Sequence, residues 1–266
     1  MRPWFSKKNP SDDVQLSKDI ASDEEGALKT FWEHLDDLRG TLFKSLVALA
    51  ITFHVALALA NRILGVITWP LRQVTDHPEN YLLSLNVTDS FVLSVKLAFY
   101  VGLVVAAPAI LYFVGQFVLP ALKPKEKRLL WPGFAAGTVL FIIGAASCFV
   151  FIVPQTLRAF IQASRWLGIE PRWTIDSYIS FVTQFTLMSG LTFEIPLVIL
   201  ILVRLGVLGY TTVRKGRKIF VLLAFVVAAF LAPPDPLSMV LMALPLAVLF
   251  EITIWLSWFA ERRRKT

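Results

Sequence analysis

One cysteine, three histidines and a 17% share of charged residues are little chemistry for a chain of 266. Cys148 has no second cysteine to join, so a disulfide framework is excluded, and it reads as a small buried or lipid-facing residue. His34, His54 and His77 fall in three separate segments without metal-ligand spacing, which argues against a metal site. The chain contains no G-x-x-x-x-G-K-[ST], no H-E-x-x-H and no G-x-S-x-G, so P-loop, zincin and hydrolase chemistry find no support. We expect no enzyme and no cofactor. An internal repeat is also lacking, which removes the inverted-repeat design of many secondary transporters.

What the chain has instead is apolar length. The set AVILMFWYC makes up 56% of it. Six runs, 42–60, 90–119, 132–157, 178–203, 219–232 and 237–258, hold four charges among them: Lys44, Lys96, Glu194 and Glu251. Most of them reach the roughly 20 residues that cross about 30 Å of hydrocarbon as helix. The expectation is an all-α, polytopic membrane protein with six transmembrane helices. The run 219–232 has only 14 residues and is joined to the next through Pro233, Pro234, Asp235 and Pro236, so a short final hairpin should thin the bilayer.

Charge sets the orientation. Segments 1–41, 120–131, 204–218 and 259–266 carry 19 Lys or Arg, against five in 61–89 and 158–177. Basic loops stay on the cytoplasmic side, so both termini are expected there. The net charge of +7 is spread over these loops rather than gathered on one face, which excludes a nucleic-acid surface. The first 41 residues are polar and hold nine acids, so no cleavable signal peptide is expected. Three parts follow: a mobile tail at 1–29, a transmembrane domain at 30–258 and a basic tail at 259–266. Phe31, Leu35, Leu38 and Leu42 recur at helical spacing, an amphipathic lead into the first span.

The charges against the trend are the candidates for chemistry. Glu194 is alone in its span, where a carboxylate costs roughly 2.5–3.5 kcal/mol on insertion scales. It is expected to meet a partner helix or a cavity; the structural alternative is a hydrogen bond to Gln184. Glu251, nearer the inner surface, admits structural and functional readings alike. Lys96 and Lys44 are expected to snorkel. Asp89 and Ser90 are placed to cap the second span, and Trp166 and Trp173 suit an interfacial belt. Glu126, among Lys123, Lys125, Lys127 and Arg128, is either local charge balance or a carboxylate waiting for an external guanidinium; Asp36 and Asp37 pose the same choice.

An ordered set of motifs then points to a family. His34-Leu-Asp-Asp-Leu-Arg39, Pro108-Ala-Ile-Leu-Tyr112, Phe117-Val-Leu-Pro120, Glu126-Lys-Arg128, Phe193-Glu194-Ile-Pro196, Pro233-Pro-Asp235, Ala243-Leu-Pro245 and Leu249-Phe-Glu251 occur in sequence over residues 31–258. This string resembles the TatC family, the multispanning core of the twin-arginine protein translocase. The resemblance implies a concave, glove-like bundle in the cytoplasmic membrane that binds twin-arginine signal peptides and exports folded proteins with the proton-motive force. It places Asp37, Glu126, Arg39, Phe117 and Pro120 at the signal peptide, and Glu194 against a partner's span. It marks Pro70, Asp235 and Glu251 as structurally or functionally sensitive. Implied partners are small single-span subunits of the TatA/TatB type, further copies of the chain, and membrane lipids. Asp37 stands where the family usually has Glu, one methylene longer. The competing reading is a proton-coupled small-solute transporter with Glu194 as its proton-binding group.

Overall fold

A backbone inside hydrocarbon has no water to bond, so each spanning segment must satisfy its own N–H and C=O groups, and helix is the form that does so. The computed structural model describes residues 10–118, 124–231 and 236–265. Pro120 and Asp235, and the side chain of Glu126, lie outside what it describes. Two units are distinguished, residues 1–44 and 45–266.

Helix α1 (Pro10–Ala58) begins within the stretch read as tail and continues to the end of the first apolar run. Two short helices, α2 (Ala60–Ile67) and α3 (Trp69–Arg72), then turn the chain. The second span is α4 (Asp89–Val118), one continuous helix with Pro108 inside it. The third is α5 (Pro124–Ser147), a π-helical turn over Cys148–Ile152, and α6 (Val153–Trp166). The fourth is α7 (Ile175–Thr192) followed directly by α8 (Glu194–Leu205). After the short α9 (Tyr210–Lys215) come α10 (Arg217–Leu231) and α11 (Pro236–Lys265).

Among the described residues, five helical segments are long and apolar enough to cross a membrane: His34–Ala58, Asp89–Phe117, Pro132–Trp166, Ile175–Arg204 and Met239–Phe259. Helix α10 has 15 residues, about 22 Å at 1.5 Å per residue, and falls short. The shortness expected of the last hairpin therefore belongs to α10 alone. Helix α11 runs for 30 residues and carries the basic end of the chain as its last turns.

One element departs from pure helix. Strand β1 (Leu82–Leu83) pairs in parallel with β2 (Trp173–Thr174), joining the loop before α4 to the loop before α7. The Trp173 N–H donates to the Tyr81 carbonyl at 2.7 Å, and the two rings lie 5.8 Å apart. Trp173 is thus a half-buried strut between loops, whereas Trp166 is exposed. Asp89 also does something other than cap forward: its Oδ2 accepts the N–H groups of Leu85 and Asn86 at 2.9 Å each, ordering the loop ahead of α4.

The largest core lies next to these loops. Leu71, Leu97, Val153, Ile179, Val182 and Phe185 are buried there. Pro70 is fully buried at the start of α3, which gives that position a packing role. Beside it the Tyr178 hydroxyl donates to the Ile67 carbonyl at 2.9 Å. Elsewhere, hydroxyls within the spans bond their own helix: Thr183 to the Ile179 carbonyl, Thr253 to Leu249 and Ser257 to Thr253. Each removes a polar group from lipid without needing a neighbour. Cys148 is buried, with Sγ donating to the Phe185 carbonyl at 3.6 Å.

Candidate site around an intramembrane carboxylate

Helices attract one another weakly in lipid unless their backbones approach closely, and small residues permit that approach. Helices α5 and α7 make the broadest contact among the described elements, and the reason is legible on α5. Gly144 faces the turn at the end of α7: a Cβ there would stand 2.6 Å from Cγ of Phe193. Its carbonyl accepts the Ser189 hydroxyl at 3.1 Å. Two turns earlier along α5, a Cβ on Gly137 would lie 3.0 Å from both Glu194 Oε2 and Leu197 Cδ2. The two glycines open a seam into which the Phe193–Glu194 junction fits.

The junction is a local consequence of sequence. Helix α7 ends at Thr192, Phe193 is buried, and α8 restarts at Glu194 with Pro196 in its first turn. Proline supplies no N–H and its ring crowds the preceding turn, so the helix restarts rather than runs through. Restarting leaves Glu194 as the first residue of α8, where the helix dipole favours negative charge. That is the whole of its local support. Oε1 of Glu194 is buried and accepts no hydrogen bond, and the side chain makes no ion pair among the described residues. Gln184, the alternative partner, donates instead to the Tyr100 hydroxyl at 2.6 Å.

Two other span charges, Lys96 and Glu251, are paired within the chain. Lys96 does not snorkel: its ammonium donates to both oxygens of Asp176 at 2.7 and 2.9 Å, tying α4 to the first turn of α7. Glu251 of α11 pairs with the Arg217 guanidinium at the start of α10. Of the residues assigned to peptide binding, Asp37 and Arg39 are exposed on α1 within the first unit. Phe117 is half-buried in the last turn of α4, and the backbone of Glu126 lies in the first turn of α5, so these two flank one interhelical loop. No group of three or more His, Cys, Asp or Glu side chains suited to a metal occurs among the described residues.

The geometry defines a class: a multi-pass, predominantly helical membrane protein with a buried span carboxylate, Glu194, that has no partner among the described residues. Comparison with known proteins narrows it. Residues 33–245 match the family described as Sec-independent protein translocase protein (TatC). The TatC of Akkermansia muciniphila is 40% identical over 66% of this chain and 51% of its own length. That of Aquifex aeolicus is 34% identical over 88% of this chain and 96% of its own. A crystal structure titled twin arginine translocase receptor TatC superposes with a TM-score of 0.73 at 33% identity, covering 86% of this chain and 99% of that one. The chain belongs to the TatC family.

The seam glycines were missed by motif reading. Gly137 and Gly144 are seven residues apart, about two turns, which puts them on one helix face. The Lys96–Asp176 and Arg217–Glu251 pairs have no local signature at all.

Proposed function

We propose that this chain is the receptor core of a twin-arginine protein translocase in the cytoplasmic membrane, with both termini cytoplasmic. Asp37 and Glu126 each receive a guanidinium of a twin-arginine signal peptide, since a carboxylate matches that fork with two parallel hydrogen bonds. Arg39, Phe117 and Pro120 complete the set of residues that meet the signal peptide. Glu194 takes a polar group from the span of a small single-span subunit, and that contact completes it. Folded cargo then moves outward under the proton-motive force, with the short α10 keeping the bilayer thin nearby.

The observation that carries this reading is Glu194: a buried acceptor at a helix restart, with no partner among the described residues, on a protein of this family. A solute transporter would use such an acid alone. The comparisons favour the translocase instead. Glu126→Ala should abolish crosslinking to a twin-arginine signal peptide while leaving the protein inserted. Glu194→Ala should abolish crosslinks to the partner span and spare those to the peptide. Undiminished peptide crosslinking by Glu126→Ala sinks the peptide site; solute flux through liposomes holding the chain alone sinks the receptor reading.

A further inference from the structure

A cavity lies away from Glu194, where α9, α10 and α11 meet. Its volume is about 380 Å³, and its walls include Tyr210, Arg214, Arg217, Glu251, Trp255 and Trp258. The apolar stretch Met239–Phe259 ends here, so the cavity sits at a membrane–water boundary. Tryptophan and tyrosine settle at headgroup level, which fixes its depth independently.

Its charge is unbalanced toward the positive. Arg217 is engaged by Glu251, but Arg214 makes no ion pair among the described residues. Arg262 stacks against the wall residue Trp258, with its guanidinium carbon 3.8 Å from the centre of that ring. Guanidinium groups match phosphate oxygens as forks, and an indole wall beside them excludes water and strengthens the contact.

What separates a lipid from a free phosphate is the surface leading away. Leu244, Val248, Ile252 and Trp255 are exposed at successive turns of α11, a strip that runs along the span and ends at the cavity wall. An acyl chain attached to a phosphate in the cavity would follow that strip. A soluble anion has no use for it.

We propose that the α9–α11 cavity is a binding site for an anionic phospholipid, with the phosphate held by Arg214 and Arg217 and a chain laid along α11. The site is independent of peptide capture and of the orientation given above.

The test uses the purified full chain in mild detergent and native mass spectrometry with phosphatidylglycerol or phosphatidylcholine of identical chains. Wild type should retain one phosphatidylglycerol about fivefold or more over phosphatidylcholine, the factor expected from a single well-placed basic residue. Arg214→Glu should bring the two to parity while its detergent melting curve matches wild type. Equal retention of both lipids by wild type overturns the proposal, as does a preference that survives Arg214→Glu. Displacement of phosphatidylglycerol by millimolar inorganic phosphate overturns the lipid assignment in favour of a soluble anion.

Discussion

Glu251 and Glu194 are two acids in neighbouring apolar spans, and the fold treats them differently. Glu251 sits where α10 begins, so Arg217 reaches it and the chain closes its own charge. Glu194 sits at the α7–α8 restart, against a glycine seam that brings backbone and no cation. A span charge answered within the chain maintains structure. One left open, with only a helix terminus facing it, is answered from outside in the function proposed above.

That contrast can be broken at four points. The largest effect should come from closing the seam. Gly144→Val puts two methyl groups where Phe193 already lies within 2.6 Å, and should destabilise by about 3 kcal/mol, the upper end of overpacking costs. Denaturant titration in detergent measures it; a loss under about 1 kcal/mol would mean the helices are not held at this distance. Next, Arg217→Ala leaves Glu251 without its cation. Both side chains are partly exposed, so the loss should be about 1 kcal/mol, and restoring neutrality with Glu251→Gln should recover most of it. Failure of the second change to compensate would show that the pair is incidental.

Lys96→Met tests the pair at the other end of the bundle and should cost about 0.5 kcal/mol, falling further in high salt because that pair is also partly exposed. A salt-independent loss would point to packing rather than charge. The smallest change in stability should come from Glu194→Met: within about 0.5 kcal/mol of wild type, or a gain, since no partner is stranded. Yet this variant should lose crosslinks to the partner span. If it destabilised the isolated chain as much as Arg217→Ala does, Glu194 would be a structural acid like Glu251.

Composition and periodicity carried the architecture because lipid imposes a simple rule, long apolar helices, that any reader of hydropathy can apply. Glu194 stood out for the same reason: a lone charge is conspicuous where charge is expensive. One satisfied charge, Lys96, was misread because its partner is distant in sequence. Lys96 looked like a snorkelling residue because Asp176, on another helix, has no mark of its own before folding. The bracing of a second loop by Trp173 likewise has no mark in the sequence before the strands pair. Gly137 and Gly144 act through what they omit, and an absent side chain is easily passed over.

The parallel pairing of β1 with β2 also bears on how the molecule is made. Leu82 emerges from the ribosome long before its partner Trp173, with the whole second and third spans between them. Parallel strands gain nothing until both are present, and chains synthesised from the N-terminus fold in that order. Until Trp173 emerges, the early loop has no strand to bond. Joining of these two loops therefore waits on synthesis of the third span.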